Sequence, residues 1–290
     1  MEGFPRLVTK AKQIGLVSLE EKQTEFESIP FWCKQVNSNT TDYCFSHKIV
    51  MPQHPTTLQP MQYMSHQIQF VNYLTKDNRQ KKIHVNKSRQ TGFTEIVLRT
   101  IQYLSFNKYA RGKIMIISCT REKTSKKIMQ RFKLLFENIP QYIKSSNDLV
   151  TELTNDTIIE ALPSNSEAIR GYTKIKCVFI DEAAHFEMVD DSAVIDAIRP
   201  IIMTNKSDFF MISTPNGPQG FFHSIEKDSS NDYHLMKPNI WSAVGVIYSK
   251  EEAEVELLKI DVDVEKEYLN QYTTDRDSIF EKITTDDEDV

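Results

Sequence analysis

Residues able to bind phosphate are concentrated in one segment, HVNKSRQTGFTEIVLRT, at positions 84–100. Its apolar start predicts a strand that ends near Asn86, and the pattern after it predicts a helix that begins about Thr94. The N-terminus of a helix directs unpaired backbone N–H groups and the positive end of the helix dipole toward one point. Because both attract anions, the segment is suited to a polyphosphate.

This loop departs from the usual phosphate-loop pattern, G-x-x-x-x-G-K-[ST], at two positions. Gly92 and Thr94 match it, whereas Phe93 stands at the lysine position and Lys87 at the first glycine position. An ordinary start of a helix, with Thr94 as its N-cap, explains the same residues. The segment alone therefore leaves both interpretations open.

A pair of acids follows a second apolar run, in KCVFIDEAAHF at positions 176–186. Asp181 and Glu182 would emerge at the carboxyl end of a strand, where ligands bind in open α/β sheets. One acid would help to hold Mg²⁺, and the next would polarise an attacking water. A strand ending in a surface turn is the alternative, but the combination with a phosphate-type loop favours a nucleotide site.

Strands alternating with helices must position these two segments. Helical spacing of apolar residues occurs at 95–106 and 125–136, between the predicted strands. Strand, helix and strand in this order predict crossover units and a mainly parallel α/β sheet flanked by helices. The first 60 residues are predicted to wrap the sheet irregularly, and the tail from Thr284 to fray. Runs rich in β-branched residues predict strands at 82–86, 113–119, 157–162, 176–180, 208–213 and, more weakly, 234–238.

The net charge of −5 hides an uneven distribution. Between Lys76 and Lys133 the sequence has 16 Lys and Arg against 3 acidic residues, and from Glu251 onward it has 15 acidic residues against 4 basic ones. A basic block of this kind is either a solvated face or a surface for the phosphates of a nucleic acid. Charge alone leaves both open.

Composition and cysteine spacing exclude several other classes of protein. The apolar fraction of 40% and the charged fraction of 26% are those of a folded globular protein. No apolar run approaches the roughly 18 residues of a membrane span, and the start lacks a signal peptide, so we expect the protein in a cytoplasm. Cys33 and Cys44 with His47 lack a fourth metal ligand, and Cys119 and Cys177 show no C-x-x-C spacing. We expect free buried thiols.

Taken together, the motifs resemble those of tailed-virus large terminases, the ATPases that pump DNA into an empty capsid. SRQTGFT resembles the family's phosphate loop SRQ-x-G-K-[ST], VFIDEAAHF its acid-pair strand, and MISTPNGPQGFFH at 211–223 its coupling segment. LPSNSEAIRGYT at 162–173 resembles its arginine–glycine segment, and PMQYMSHQIQFVNYL at 60–74 its adenine-reading glutamine segment. The order and spacing of the motifs agree over most of positions 60–225.

The resemblance implies a RecA-like P-loop NTPase fold of the ASCE type. Its expected parts are an N-terminal wrapping segment at 1–60, an ATPase core at 61–245, and a small C-terminal helical linker or subdomain with an acidic tail at 246–290. The family usually adds a nuclease domain of ribonuclease H type, which needs more than about 100 further residues. Residues 264–283 resemble the linker that enters it. We therefore expect an ATPase without nuclease activity.

The resemblance also implies roles for individual residues toward ATP and Mg²⁺. Thr94 and Asp181 would bind the metal, and Glu182 would be the catalytic base. Gln67 would read adenine, and Arg89 would sense the γ-phosphate. The implied nucleotide-binding set is Gln67, Lys87, Ser88, Arg89, Gln90, Thr91, Gly92, Phe93 and Thr94, with the backbone from Gln90 to Thr94 around the β- and γ-phosphates.

Movement and DNA contact are expected to use residues outside this set. Arg170 is proposed as an arginine finger that acts across a ring of subunits, because a guanidinium can offset the charge of the transferred phosphoryl group. The basic rim would grip DNA phosphates without reading bases. The implied coupling residues are Ser213, Thr214 and Asn216, and the expected DNA contacts are Lys123, Lys126, Lys127 and Arg131.

The aromatic residue at position 93 bears directly on activity. Some large terminases carry a deviant loop, K-S-x-x-x-G-[YF]-[ST], and KSRQTGFT at 87–94 is similar to it. We therefore predict that Lys87 is the phosphate-binding lysine, catalytic with Glu182, Arg89 and Arg170. A catalytically weakened module that binds ATP and DNA stays as the alternative. A superfamily-two helicase would need a second RecA-like domain, for which the chain has no room.

The expected partners follow from the same resemblance. They are double-stranded DNA bound without sequence preference, a portal protein and a small terminase subunit, in the cytoplasm of a host cell and without a membrane. The working form would be a ring of about five subunits, and the isolated chain would be a ring or a monomer.

Overall fold

The computed structural model describes residues 64–74, 79–106, 108–118, 122–137, 140–186, 191–259 and 262–273. It also gives the backbone of two short antiparallel strands, β1 (Tyr43–Cys44) and β2 (His47–Lys48). The wrapping segment predicted at 1–60 and the predicted fraying from Thr284 otherwise lie outside the described residues. So do Cys33 and Cys119, whereas Cys177 is a free, buried thiol.

Eight further strands form one sheet with the spatial order β10-β3-β9-β8-β4-β7-β6-β5. The six strands from β10 to β7 pair in parallel, and β7, β6 and β5 pair antiparallel. The mainly parallel α/β sheet that the sequence predicts is confirmed. The strands are β3 (Lys82–Asn86), β4 (Lys113–Ser118), β5 (Ile143–Ser146), β6 (Val150–Leu153), β7 (Ile158–Pro163), β8 (Ile175–Asp181), β9 (Asp208–Ser213) and β10 (Tyr233–Met236).

The six predicted strands all form, with ends that differ from the prediction by two residues at most. The sequence misses the two antiparallel strands, β6 and the edge strand β5. Three of the four residues of β5 are solvent-exposed, and its sequence is IKSS. An edge strand of this composition has no alternation of apolar and polar residues, so the pattern that reveals buried strands is lacking.

Helices cover both faces of the sheet. Successive strand residues point to opposite faces, so Ile116 and Phe179 pack with α1 to α3, whereas Ile117 and Ile180 pack with α5 and α6. None of the helices in the described ranges is long and apolar enough to cross a membrane. The helices are α1 (Ser65–Leu74), α2 (Phe93–Ser105), α3 (Glu122–Leu134), α4 (Ser166–Ile169), α5 (Asp191–Asn205), α6 (Gly220–Lys227), α7 (Lys250–Leu257) and α8 (Val264–Glu267).

A buried charge cluster fixes the amino end of β9. The Asp208 carboxylate accepts hydrogen bonds from Tyr109 Oη at 2.6 Å and Lys108 Nζ at 2.8 Å. It also pairs with Arg79 Nη2 at 2.8 Å, and the Arg79 and Asp208 side chains are only 4% and 1% exposed. Because charges so deeply buried require partners, the cluster ties the segment before β3 and the segment before β4 to the sheet.

We predict that Asp208→Ala lowers the free energy of unfolding by about 3 kcal/mol or more, because it leaves the buried Arg79 guanidinium without its counter-charge. Asp232→Ala is the matched control, since it removes an ion pair with Lys82 that is largely solvent-exposed. That control should cost less than about 1 kcal/mol. Urea denaturation of the two variants measures both changes in the free energy of unfolding. Equal losses of stability in Asp208→Ala and Asp232→Ala would contradict a structural role for the cluster.

Candidate functional site

The sheet order brings three separated segments to one edge. Strands β3, β9 and β8 are direct neighbours, and the register pairs Asn86 with Ser213 and Ile212 with Asp181. All three strands are parallel, so the residues that follow them meet at the carboxyl edge of the sheet. The loop after β3, the acid pair that ends β8 and the segment after β9 therefore lie side by side.

Two direct contacts join the loop to the acid pair. Thr94 Oγ1 donates a hydrogen bond to Asp181 Oδ1 at 2.9 Å. Lys87 Nζ donates to Glu182 Oε1 at 2.9 Å, in an ion pair whose side chains are 8% and 38% exposed. The two residues that the sequence suggests as metal ligands are thus adjacent, and so are the expected phosphate lysine and the expected base.

The two carboxyl groups have pKa values shifted in opposite directions. Burial and the neighbouring Glu182 carboxylate raise the pKa of Asp181, against the opposing influence of Lys87 and Thr94. Burial also acts to raise the pKa of Glu182, but the Lys87 ammonium, together with His185 and the backbone N–H of Thr214, lowers that pKa overall. Glu182 is therefore held as a carboxylate, and Asp181 retains charge less readily until a cation lies beside it.

The acid-pair loop is bonded to the segment after β9. Glu182 has a φ of 55°, a left-handed backbone that is uncommon for a residue with a side chain. The next residue, Ala183, donates its N–H to Ile212 O at 3.1 Å, and Glu182 Oε2 accepts from Ser213 Oγ and Thr214 N, each at 3.4 Å. This turn therefore aims Glu182 toward the phosphate loop while β9 supports it.

The expected coupling residues make three further contacts with the same turn. Ser213 Oγ accepts from Ala184 N at 3.0 Å, and Asn216 Nδ2 donates to Ala184 O at 3.1 Å. Thr214 Oγ1 lies 2.8 Å from His185 Nε2. Ser213, Thr214 and Asn216 thus all contact the acid-pair turn, and their coupling role stays a prediction. The sequence prediction did not include His185.

The phosphate loop is shaped by α1. Gly92 has a φ of 63°, and a Cβ added to it would meet Gln67 Nε2 at 2.8 Å and Met64 Cε at 3.0 Å. Gln67 is fully buried: its Nε2 donates to Gly92 O at 2.9 Å, and its Oε1 accepts from Met64 N at 3.0 Å. His66 Nε2 also lies 2.8 Å from Thr91 O. Both ends of the Gln67 amide are engaged with backbone, and its adenine-reading role stays a prediction.

The backbone N–H groups of the loop fall into two sets. Those of Lys87, Ser88 and Arg89 donate to Ser213 O, Pro238 O and Glu267 O, at 2.9, 3.0 and 2.9 Å. Those of Gly92, Phe93 and Thr94, at the start of α2, donate to no other described residue. The first half of the loop is therefore built into the fold, and the start of α2 has unpaired N–H groups, as at any helix N-terminus. The phosphate cradle expected at residues 90–94 stays a prediction.

Phe93 does not occupy a phosphate-facing position. Its side chain is 1% exposed and packs edge-on against Phe70, with ring centroids 5.2 Å apart, and parallel to His66 at 5.8 Å. The N-cap of α2 is Gly92, without a side-chain cap, so the alternative interpretation of Thr94 as an N-cap is wrong. The Thr94 hydroxyl is used by Asp181 instead.

The remaining predicted residues lie at different distances from this edge. Arg89 contacts Glu267 in α8, and Arg170 is exposed directly after α4, in the connection between β7 and β8. On α3, Lys123 and Lys127 are exposed. The other two expected DNA contacts pair with acids: Lys126 with Asp148 at 3.3 Å and Arg131 with Glu95 at 3.5 Å.

A C-terminal part of the chain also reaches the loop, which sequence reasoning missed. Asn86 and Asn270 each donate a side-chain hydrogen bond to the other's carbonyl oxygen at 3.1 Å. Tyr248 Oη donates to Gln90 Oε1 at 2.5 Å. Single asparagines and a tyrosine in an acidic, helical stretch carry no pattern that would announce these contacts.

Solved structures of phage large terminases share this fold. The ATPase domain of the Thermus phage P74-26 large terminase matches 69% of this chain and 91% of that domain, at 16% identity and a TM-score of 0.50. The large terminase of another thermophilic bacteriophage, solved in complex with ADP, matches 73% of this chain and 54% of its own, at 12% identity and a TM-score of 0.59. The HK97 bacteriophage large terminase matches 83% of this chain and 55% of its own, at 14% identity and a TM-score of 0.56. The chain spans about half the length of the last two proteins. No protein-family model and no curated protein matches the sequence.

We predict that Phe93→Lys destabilises the fold and does not install a phosphate lysine. It would place an ammonium among Phe70 and His66, at a cost of about 3 kcal/mol or more in the free energy of unfolding. Phe93→Leu is the control and should cost about 1–2 kcal/mol. Denaturant unfolding midpoints compare the stabilities of the two variants. A Phe93→Lys variant as stable as Phe93→Leu would mean that position 93 faces solvent.

Proposed function

We propose that this chain is the ATP-hydrolysing motor domain of a DNA-packaging terminase large subunit. The observation that carries the proposal is the pair of contacts that join the loop to the acid pair, Thr94 to Asp181 and Lys87 to Glu182. A nucleotide site needs a phosphate cradle, a metal-binding hydroxyl and carboxylate, and a base at one place. The second of the terminases compared above, which has the same fold, has been solved with ADP and with ATP-γ-S.

Phosphate binding is assigned to the loop and its lysine. The N–H groups of residues 92–94 donate to no other described residue, and they lie at the N-terminus of α2, a 13-residue helix. Lys87 is buried at the start of the loop, with its ammonium directed at the acid pair. A lysine at the beginning of the loop can therefore supply the charge that Phe93 does not, because its four-carbon stem reaches back across the turn.

Metal binding is assigned to Thr94 and Asp181. Hydroxyl and carboxylate oxygens are the ligands that Mg²⁺ prefers, and the pair is already 2.9 Å apart. The raised pKa of Asp181 fits the same role, since a carboxyl group buried without a cation is the one that a cation stabilises most. When bound, Mg²⁺ would neutralise charge on the phosphates.

Proton abstraction from the attacking water is assigned to Glu182. The Glu182 carboxylate is now paired with the Lys87 ammonium. Because a bound polyphosphate would attract Lys87, it would free the Glu182 carboxylate. Ser213, Thr214 and Asn216 would then pass the change at this turn into β9 and the segment after it. Arg170, which is exposed and has no partner among the described residues, is available to a neighbouring subunit of a ring.

DNA contact is assigned to the exposed amino-terminal part of α3. Lys123 and Lys127 are exposed and make no hydrogen bond or ion pair with another described side chain, so they are the stronger candidates. Lys126 and Arg131 each have an acidic neighbour and would have to exchange it for a phosphate. The proposed partners are double-stranded DNA, a portal protein, a small subunit and further copies of this chain, in a host cytoplasm.

A module that binds ATP and DNA with weakened catalysis is the second candidate. It is favoured by Phe93, because the usual lysine position is filled by a buried aromatic ring, so a single lysine at the start of the loop carries the phosphate charge. Both candidate functions include binding of ATP and DNA, and they differ in the rate of ATP hydrolysis.

We predict that Glu182→Gln lowers steady-state ATP turnover by at least about 100-fold, because it removes the base but leaves the cradle intact. Lys87→Ala should reduce both turnover and ATP affinity. Lys227→Ala, an exposed change on α6, is the control and should leave both unchanged. If the wild-type chain binds ATP but turns it over no faster than Glu182→Gln, the motor proposal fails and the binding module is supported.

DNA contact gives a separate prediction, measured as the slope of log affinity against log salt concentration. The double variant Lys123→Ala with Lys127→Ala should flatten that slope by about 2, since each phosphate contact contributes about 0.9. Lys227→Ala, on the opposite side of the sheet, is again the control. An unchanged slope in the double variant would remove α3 from the DNA-binding surface.

A further inference from the structure

Helix α8 contacts both the phosphate loop and the coupling segment. The Glu267 carbonyl accepts the N–H of Arg89 at 2.9 Å, and the Glu267 carboxylate pairs with the Arg89 guanidinium through Nε and Oε2. The preceding residue, Lys266, donates from Nζ to Asn216 Oδ1 at 3.1 Å. One short helix is thus bonded to the residue expected to sense the γ-phosphate and to a residue expected to respond to hydrolysis.

The two partners of the ion pair differ greatly in exposure. The Glu267 side chain is 14% exposed, whereas that of Arg89 is 64% exposed. A largely exposed guanidinium can change partner at little cost in packing, whereas a mostly buried carboxylate has less room to move. We therefore expect Arg89, and not Glu267, to be the member of the pair that changes partner.

Helix α8 is also connected to the acid-pair turn. Asn216, which accepts from Lys266, also donates from Nδ2 to Ala184 O in the acid-pair turn at 3.1 Å. Helix α8 is therefore linked to the acid-pair turn through one residue, as well as to the loop through Arg89. A phosphate carries more charge than a carboxylate and is a stronger acceptor for a guanidinium.

We propose that Glu267 is a positioning residue that holds Arg89 in a resting arrangement and competes with the terminal phosphate of a nucleoside triphosphate for it. The inference rests on the proposed function of the loop as an ATP site. Binding of a triphosphate moves Arg89 from Glu267 to the phosphate and removes a contact that holds α8 to the loop. A diphosphate lacks the competing group and leaves the pair in place.

Competition of this kind has a defined thermodynamic signature. A protein whose arginine is mostly paired with Glu267 binds the triphosphate more weakly, in proportion to the fraction of time that the arginine is free. Removing the carboxylate lifts this penalty for the triphosphate alone. If Glu267 were only structural, its loss would instead weaken the binding of both nucleotides. If its carboxylate only repelled the phosphates, the gain in triphosphate affinity would persist without Arg89.

The test compares dissociation constants for ATP-γ-S and ADP in the whole chain, measured by titration calorimetry with Mg²⁺. Glu267→Gln should tighten ATP-γ-S by about 5- to 10-fold and change ADP by less than about 2-fold. Glu265→Gln is the matched control: it removes the same charge from the same helix, and the exposed Glu265 side chain makes no hydrogen bond or ion pair with another described residue. It should change neither constant.

Arg89→Ala supplies the second arm, independent of any effect of Glu267→Gln on folding. It should weaken ATP-γ-S more than ADP and abolish the gain from Glu267→Gln in the double variant. An equal effect of Glu267→Gln on both nucleotides, or a gain that persists without Arg89, would overturn the inference while ATP binding stands. Failure of the wild-type chain to bind either nucleotide would instead overturn the proposed function, and the inference with it.

Discussion

The ion pair between Lys87 and Glu182 depends on the order of three strands. It forms across the ends of β3 and β8, which are separated by β9 alone, so the lysine spans one strand to reach the acid. The same arrangement places Ser213 and Thr214, at the end of β9, beneath the Glu182 carboxylate. One parallel register therefore determines how far apart the residues proposed for phosphate binding, metal binding and coupling lie.

The aromatic residue at position 93 and the lysine at position 87 together explain how this loop departs from the usual phosphate-loop pattern. A lysine at the usual position would direct its stem outward from the first turn of α2, but here that turn is anchored by an aromatic ring packed on Phe70 and His66. Gln67 fixes the next residue back, Gly92, by its carbonyl. The C-terminal end of the loop is thus held by contacts with α1, and the lysine stands at the other end of the loop, at position 87.

Local patterns predicted the core of the fold and the convergence of the motifs. The β-branched runs gave the six parallel strands, and the acids after β8 and the loop after β3 lie together because parallel strands share an edge. Pairings between distant residues carry no such signal. The Asn86–Asn270 pair joins positions 184 apart, and the partner that Arg89 found, Glu267, is one of many acids near the C-terminus. Which acid meets a given arginine depends on the packed fold and not on spacing.

The division of the loop into two halves explains why those distant pairings matter. Residues 87–89 donate their N–H groups to three separate segments, at Ser213, Pro238 and Glu267, so the start of the loop is a junction of the fold. The proposed phosphate cradle begins directly after this junction, at Gln90. The C-terminal segment bonds to both Arg89 and Gln90, so it contacts the loop where its two halves meet. A displacement of the loop at this point would therefore be felt by the C-terminal segment as well as by β9, which accepts the N–H of Lys87.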